Sequence, residues 1–216
     1  MRNSVIHGNC IEIMRDLPDA SVDFVLTDPP YLCGYRDRTG RTVLHDNDDG
    51  GWLAPAFAGA FRVLKPDSVC VSFYGWNQAD TFISAWRAAG FRLAGHIVFA
   101  KRYSSKARYV SYRHECAYLL IKGNPPLPEN PVPDVMPWQY THNRLHPTQK
   151  PVEPLKDLVA AFCPKDGLVL DPFCGSGSTL VAARECGRDW LGIELDADHH
   201  ATATERMRRA NCRLAA

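Results

Sequence analysis

Two short segments of the chain place an acidic side chain and a tight turn directly after an apolar run. The first is VDFVLTDPPY, residues 22–31, and the second is LVLDPFCGSGST, residues 168–179. Their acidic residues are Asp28 and Asp171. Parallel strands deliver ligand-binding loops to one edge of an open α/β sheet in this way. Two such loops predict two neighbouring ligands.

The DPPY turn combines acceptor groups with an aromatic ring. Neither Pro29 nor Pro30 has an N–H, so the strand cannot continue, and the Pro29 carbonyl is free to point outward beside the Asp28 carboxylate. These two acceptors suit the two N–H groups of an exocyclic amine on a flat base, and the Tyr31 ring can stack on that base. The alternative is an ordinary proline-rich turn. The pairing with the second loop favours the functional interpretation.

The second loop has the features of a nucleoside site without a pyrophosphate site. Gly175 and Gly177 allow a tight turn and a close approach of the backbone to a ligand, and a helix begins at Thr179. A P-loop needs Gly-Lys-Ser/Thr, which is absent, and a dinucleotide fingerprint needs a third glycine where Leu180 stands. Glu194 ends the next apolar run, 19 positions after Gly175, where a carboxylate can bind ribose hydroxyls. A plain strand-to-helix turn is the alternative.

The elements that position these loops alternate along the chain. Apolar runs predict strands and amphipathic patterns predict helices. The predicted strands are 22–27, 69–73, 91–100, 116–121, 168–170 and 190–194, and the predicted helices are 52–64, 77–89, 152–162 and 179–186. Six prolines in residues 124–137 predict an extended loop. This alternation favours an α/β fold with a doubly wound, mostly parallel sheet.

Length and composition indicate the number of domains, the location of the protein and the role of its cysteines. The chain has 216 residues, 45% of them hydrophobic, which allows one core and predicts a single domain over residues 1–216. No apolar run approaches the roughly 20 residues of a membrane span, and the first residues lack the apolar core of a secretion signal, so we expect a cytoplasmic protein. The eight cysteines include no CxxC pair, which predicts neither a zinc site nor a disulfide framework.

One segment concentrates positive charge. With 25 Lys and Arg against 24 Asp and Glu, the net charge is only +1, so any polyanion site depends on local clustering. Residues 101–114, KRYSSKARYVSYRH, mix cations with tyrosines, as contact with nucleic-acid phosphates and bases requires. The candidate nucleic-acid-binding residues, assigned to DNA by the resemblance described below, are Lys101, Arg102, Lys106, Arg108 and Arg113. The alternative is an exposed hairpin with a solvated charged face.

Three motifs together carry a family resemblance. DPPY (Asp28–Tyr31), HPTQKP (His146–Pro151) and DPFCGSGST (Asp171–Thr179), in that order, resemble the beta group of amino-methylating DNA methyltransferases, which use S-adenosylmethionine. The resemblance covers nearly the whole chain. It implies a Rossmann-like methyltransferase sheet, mostly parallel with an antiparallel strand, and a circularly permuted motif order. It also implies that the strands preceding Asp28 and Asp171 lie side by side.

The resemblance assigns roles residue by residue. The catalytic residues are Asp28, Pro29, Pro30 and Tyr31. Thr148 and Lys150 are expected to hold the cofactor carboxylate, for which a hydroxyl and a cation are suited. Asn9 stands where the family usually has aspartate and can still accept from the adenine amine of the cofactor. The full set of implied cofactor-binding residues is Asn9, Cys10, Asp28, Thr148, Lys150, Asp171, Phe173, Gly175, Ser176, Gly177, Thr179 and Glu194.

The implied reaction is methyl transfer to the N6 amine of an adenine flipped out of DNA. Asp28 and the Pro29 carbonyl would accept the N–H bonds of that amine. Methylation of cytosine N4, methylation of an RNA base, and a catalytically silent cofactor-binding subunit that docks on DNA remain alternatives. Only residues 122–145 are available for a target-recognition region, so sequence specificity is either short and lax or resides in the loops of residues 32–51 and 101–114. A homodimer and a separately encoded restriction partner both stay open.

Overall fold

The computed structural model describes residues 1–36, 40–104, 106–107, 109–141, 145–146 and 148–214. Within them, eight strands form one sheet and two short strands form a separate hairpin. The sheet strands are β1 (Ser4–His7), β2 (Val22–Thr27), β3 (Leu64–Phe73), β4 (Arg92–Lys101), β7 (His114–Lys122), β8 (Val135–Trp138), β9 (Leu168–Asp171) and β10 (Asp189–Glu194). The hairpin strands are β5 (Lys106–Ala107) and β6 (Ser111–Tyr112).

The strand order in the sheet is β1-β10-β9-β2-β3-β7-β4-β8. Strand β7 runs antiparallel to both of its neighbours, and every other pairing is parallel. The mostly parallel sheet with an antiparallel strand is therefore confirmed. The strands of the two acidic motifs, β2 and β9, are neighbours in the middle of the sheet, as the resemblance implied.

Helices cover both faces of the sheet. They are α1 (Cys10–Arg15), α2 (Leu53–Val63), α3 (Ala79–Ala89), α4 (Val152–Phe162), α5 (Ser178–Glu185) and α6 (Ala197–Leu214). One buried apolar cluster joins α1, α2 and α3 to the sheet, and a second joins α4, α5 and α6 to it. Strand β2 contributes Val25 to the first cluster and Phe24 to the second, and all six of its residues are buried. A strand covered on both faces is expected to be apolar throughout, and this one is nearly so.

The connections that follow the two central strands leave in opposite directions. Strand β9 leads through α5 to β10 on one side, and β2 leads through α2 to β3 on the other. Connections that leave in opposite directions open a crevice between the strand ends, where α/β proteins bind ligands. Asp28 and Asp171 both lie at this crevice because one follows β2 and the other ends β9.

The prediction of an extended loop over residues 124–137 is wrong at its end. Residues Val135–Trp138 form β8, which pairs with β4 at the edge of the sheet. Met136 and Trp138 are buried and supply the apolar side of the strand. Proline is tolerated in an edge strand because the outer side has no partner for its missing N–H, so Pro137 does not prevent pairing. No prediction covered β1, α1 or α6.

No helix in the described part of the chain is both long and apolar enough to cross a membrane.

Candidate active site

Two of the predicted motifs meet in one cluster of side chains. The Asp28 carboxylate has its Oδ2 atom 2.6 Å from Nζ of Lys150, and its Oδ1 atom accepts a hydrogen bond of 2.8 Å from the Tyr31 hydroxyl. Lys150 Nζ also donates to the Tyr31 hydroxyl oxygen at 3.1 Å. Lys150 has 7% of its side chain exposed and Asp28 has 19%, so the ion pair is largely shielded from water.

Burial dominates the electrostatics of this cluster. It raises the pKa of Asp28 although the Lys150 charge and the hydrogen bonds from Lys150 and Tyr31 act in the opposite direction. Burial, followed by the charges of Asp28 and Glu115, raises the pKa of Tyr31 well above its usual value. Tyr31 therefore stays protonated and donates its hydrogen, whereas the ionised form of Asp28 depends on Lys150.

The cluster extends to a second ion pair that the sequence did not predict. Oε2 of Glu115 lies 3.4 Å from the Tyr31 hydroxyl, and Glu115 is paired with the ammonium group of Lys101. Lys101 was expected to contact DNA, but only 6% of its side chain is exposed. Its ammonium group is paired with Glu115 inside the protein, so the expectation that Lys101 contacts DNA is wrong. The pairing arises from the register of β4 and β7. Phe99 of β4 lies opposite Glu115 of β7, and Lys101, two residues after Phe99, lies on the same face of the sheet as Glu115.

Asp171 holds the turn after β9 against the neighbouring strand. Its Oδ1 atom accepts from the Thr27 hydroxyl of β2 at 3.0 Å and from the backbone N–H of Phe173 at 3.1 Å. The Thr179 hydroxyl, at the start of α5, also favours the charged form of this carboxylate. Burial raises the pKa of Asp171 to about 7 in spite of these donors. The Asp171 side chain therefore stabilises the conformation of the loop after β9.

Glu194 ties the same loop to the next strand. Its Oε2 atom accepts from the N–H of Gly175 at 2.7 Å, and Oε1 accepts from the N–H of Asp196 at 2.8 Å. The carboxylate also lines the cavity above the strand ends. A carboxylate oxygen has more than one lone pair, so both oxygens can accept a further donor from a ligand.

The two glycines of the loop have different functions. Gly175 has φ +51° and lines the cavity, where a Cβ atom would come within 3.5 Å of His146. Gly177 has φ +78° and precedes the first residue of α5, but a Cβ there would contact Ala203 of α6. Gly177 provides the left-handed backbone that starts α5 and is not among the residues that line the cavity, so its role as a ligand contact stays a prediction.

The HPTQKP segment closes the cavity from the side of α5. The Ser178 hydroxyl donates to the Lys150 carbonyl at 2.9 Å, which fixes the segment to the start of the helix. Nδ1 of His146 accepts from the N–H of Thr148 at 3.2 Å, and the Thr148 hydroxyl lies 3.1 Å from the same nitrogen. Burial, followed by the charge of His199, lowers the pKa of His146 to about 3, so the ring is neutral. Pro147 lies outside the described residues.

Thr148 and Lys150 thus have protein partners where the resemblance predicted a cofactor carboxylate. The ammonium group of Lys150 faces Asp28 and Tyr31, and the hydroxyl of Thr148 faces His146. Asn9 likewise has a structural partner, because its Oδ1 accepts from the N–H of Ile11 at 2.9 Å and caps α1. The same side chain is still at the cavity wall.

A single crevice collects nearly all the predicted residues. One wall is aromatic: Trp52, at the start of α2, packs on Phe173 with 5.3 Å between ring centroids. Trp52 and His199 were not predicted, since neither belongs to a motif. The predicted residues that line the cavity are Asn9, Cys10, Asp28, Pro29, Pro30, Tyr31, Thr148, Lys150, Asp171, Phe173, Gly175, Ser176, Thr179 and Glu194.

The predicted DNA-binding segment is partly described. Arg102 and Arg113 are exposed at the ends of β4 and β7, on the same edge of the sheet as the crevice. Lys106 lies in β5, but its side chain is outside the described part of the structure, as is the whole of Arg108. The assignment of Arg102 and Arg113 to DNA stays a prediction.

Comparisons with known proteins agree with this geometry. The model of a DNA methylase family, the N6/N4 methyltransferases, matches residues 22–205. The chain is 54% identical over 202 residues to the Escherichia coli (strain K12) protein named "Putative methylase YubD", covering 94% of this chain and 88% of that one. It is 26% identical to the DNA adenine methyltransferase YhdJ of the same organism, covering 94% of this chain and 82% of that one. The chain belongs to the N6/N4 DNA methylase family.

Solved structures show the same fold. The protein TTHA0409 of Thermus thermophilus, in complex with S-adenosyl-L-methionine, superposes with a TM-score of 0.73 at 25% identity, covering 95% of this chain and 93% of that one. The PvuII DNA methyltransferase, which is cytosine-N4-specific, superposes with a TM-score of 0.75 at 17% identity, covering 99% and 92%. These likenesses confirm the methyltransferase-type sheet that the sequence predicted.

Proposed function

We propose that this DNA methylase transfers a methyl group to the exocyclic N6 amine of adenine in DNA. The methyl donor is S-adenosylmethionine, which supplies an electrophilic methyl group when bound. One observation carries the proposal: the Asp28 cluster and the loop of Asp171 open into the same crevice at the carboxyl ends of β2 and β9. Amine and cofactor can therefore lie next to each other, which in-line transfer requires.

The residues of the crevice fit a nucleoside cofactor. Glu194 presents carboxylate oxygens suited to ribose hydroxyls, and the wall of Trp52 and Phe173 provides aromatic surface for a flat ring. Gly175 leaves room beside the ligand because it carries no side chain. Asp171 acts indirectly, since its hydrogen bonds hold the loop in shape.

Lys150 belongs to catalysis in this proposal. Its ammonium group is 2.6 Å from Asp28, so it favours the ionised carboxylate that burial alone would neutralise. This role replaces the cofactor-carboxylate contact that the resemblance implied for Lys150. A carboxylate with two donors already bound retains lone pairs for the substrate amine.

Asp28 and the Pro29 carbonyl prepare the amine for reaction. The amine of an aromatic base is a weak nucleophile because its lone pair is delocalised into the ring. Acceptors for both N–H bonds favour the pyramidal geometry in which that lone pair can attack. The Tyr31 hydroxyl orients the carboxylate, and its ring offers a stacking surface for the base. A base can reach this buried cluster only after leaving the duplex.

Adenine is proposed over cytosine on two grounds. The catalytic motif begins with Asp28, whereas cytosine N4 members of the family more often begin it with serine. The relative YhdJ is named a DNA adenine methyltransferase and matches over most of both chains. Cytosine N4 is the second candidate, because the cytosine-N4-specific PvuII enzyme superposes with a TM-score of 0.75.

The test is transfer of radiolabelled methyl from S-adenosylmethionine to unmethylated duplex DNA, followed by nucleoside analysis of the digest. We expect the label in N6-methyladenine. Label in N4-methylcytosine would keep the mechanism and contradict the base. No label in DNA, with cofactor binding intact by calorimetry, would contradict the activity. The same assay on RNA tests the alternative substrate, and the Asp28→Ala variant tests whether transfer depends on the catalytic carboxylate.

A further inference from the structure

An aromatic pair lies on the surface beside the active-site crevice. The rings of Trp76 and Tyr112 stack with centroids 5.6 Å apart and planes inclined by 21°. Trp76 is 60% exposed although tryptophan is the largest side chain, and Tyr112 is half-buried beneath it. Neither residue contributes to the buried clusters of the fold. Their exposed faces are therefore available for a ligand.

The position of the pair follows from the register of the strands. Thr27 at the end of β2 lies opposite Ser72 of β3, so the residues after both strands emerge together. Gly75, next to Trp76, is so close to Tyr31 that an added Cβ would be 2.6 Å from the Tyr31 carbonyl oxygen. On the other side of the pair, Glu115 follows Tyr112 by three residues and contacts the Tyr31 hydroxyl. The aromatic pair thus adjoins the catalytic cluster through both chain segments.

Positive charge accompanies the pair. Arg113 directly follows Tyr112 and is exposed, and Arg102 is exposed at the end of the neighbouring strand β4. The nearby acidic residue Glu115 is paired with Lys101. Cations beside exposed aromatic rings suit a ligand that combines phosphates with flat, stackable bases.

We propose that Trp76 and Tyr112 form a stacking platform for an unstacked base of the DNA strand that carries the target. This inference deepens the proposed function and rests on it. Flipping a base out of a duplex removes one stacking contact from each of its neighbours on the same strand. An aromatic face outside the crevice compensates an adjacent base for that loss, whatever its identity, because every base has a π-face. Tyr31 receives the target base inside, and Trp76 supports the opened strand outside.

The test compares Trp76→Ala with Trp76→Phe, which retains a ring. The probes are a mixed-sequence single-stranded DNA oligonucleotide and a duplex that the wild-type protein methylates. We expect Trp76→Ala to bind the single strand about tenfold more weakly, while Trp76→Phe binds nearly as the wild type does. Quenching of tryptophan fluorescence by the single strand should decrease in both variants. Leu127→Ala removes an apolar side chain that is 93% exposed and should change nothing.

A second measurement distinguishes a stacking role of Trp76 on DNA from a purely structural role in the fold. In a duplex with a mismatch at the target base, opening the base pair costs less free energy, so the defect of Trp76→Ala in methyl transfer should be smaller than on the matched duplex.

Equal single-strand affinity for wild type and Trp76→Ala would overturn the proposed stacking platform. Methyl transfer by the wild type would in that case still support the proposed enzyme activity. A change from dimer to monomer in Trp76→Ala, by size-exclusion chromatography with light scattering, would also overturn it, since the pair would then be a protein interface. If the wild type methylates no DNA, the proposed function fails, whereas single-strand binding tests the platform separately.

Discussion

Asp28 is a carboxylate whose ionisation depends on its neighbours. It is held between the Lys150 ammonium group and the Tyr31 hydroxyl, and burial raises its pKa. A charged hydrogen-bond acceptor for an amine must be ionised at working pH, so the cation is as necessary to the cluster as the carboxylate. Removing either one should affect the reaction in a distinct way.

Replacing Asp28 by asparagine should lower methyl transfer about a hundredfold or more, because one acceptor of the amine is lost and an amide N–H can face the substrate instead. Cofactor affinity should change far less. Single-turnover transfer of labelled methyl gives the rate, and isothermal titration calorimetry gives the affinity. Turnover close to that of the wild type would remove Asp28 from the mechanism.

Replacing Lys150 by methionine should move the acidic limb of the pH–rate profile to higher pH by about one unit or more. Lys150 lowers the pKa of Asp28, so its loss lets burial raise that pKa further, and the ionised carboxylate forms only at higher pH. The profile is measured at saturating cofactor and DNA. Lys156→Met, which removes a lysine that pairs with Glu153 and Glu185 outside the crevice, is the matched control and should leave the limb in place.

At the scale of elements, the turn between β9 and α5 depends on one buried carboxyl group. Asp171 joins β2 to the turn through its hydrogen bonds. Burial makes the ionised form of this group costly, and its pKa is about 7 in the folded protein against a usual value of 3.8. The folded state therefore binds a proton that the unfolded chain releases, and this affects stability.

We expect Asp171 to reduce stability as pH rises. Because its folded pKa is raised, its contribution is fully present below about pH 4 and is lost as pH rises through about 7. Relative to Asp171→Asn, which does not titrate, the wild type should lose on the order of 3 kcal/mol of unfolding free energy between pH 5 and pH 8. Urea denaturation of both proteins at the two pH values measures the difference. A pH-independent difference would refute the raised pKa.

Arg102 and Arg113, at the ends of β4 and β7, should contribute to DNA binding through their charge alone. Arg102→Ala and Arg113→Ala should each weaken binding to any DNA sequence and reduce the slope of log affinity against log salt concentration by about 1. Fluorescence anisotropy over a range of salt concentrations gives the slope. Lys165→Ala removes an exposed cation before β9, at the opposite edge of the sheet, and should leave the slope unchanged. An unchanged slope in the arginine variants would mean that DNA binds elsewhere.

At the scale of the whole molecule, the crevice exists because the connections after β2 and β9 leave in opposite directions. The side chains around it come from the starts of α1 and α2, from the segment after DPPY, from the HPTQKP segment and from the ends of β2, β9 and β10. A ligand that contacts segments so far apart in sequence binds the folded state and not the unfolded chain. Its binding free energy is then added to the stability of the fold.

S-Adenosylmethionine at about a hundred times its dissociation constant should add about 2.7 kcal/mol to the unfolding free energy, a rise in Tm of roughly 5 to 10 °C. Gly175→Val should abolish this rise, because the new side chain enters the crevice beside His146. Gly187→Val is the control: Gly187 also has a positive φ, of +68°, but a Cβ there meets nothing within 4 Å. Both variants place a β-branched residue at a positive φ, so differential scanning fluorimetry with and without cofactor isolates the effect of the crevice.

Local sequence determined the parts of the protein whose chemistry is contained in a few consecutive residues. The apolar runs of β2, β9 and β10 and the turns that follow them were predicted nearly to the residue, because proline, glycine and buried strands constrain the backbone within a short window. Three such motifs were also enough to predict the family, the sheet and the adjacency of β2 and β9.

Tertiary structure alone decided which side chains meet. Lys150 and Tyr31 are 119 positions apart and Thr27 and Asp171 are 144, so their contacts depend on strand order and register. Lys101 belongs to an internal ion pair because β4 and β7 bring it beside Glu115, and residues 135–138 become a strand because the edge of β4 is free to pair. The physical reason is the same in each case: local residues set the backbone conformation, whereas burial and partners are properties of the assembled sheet.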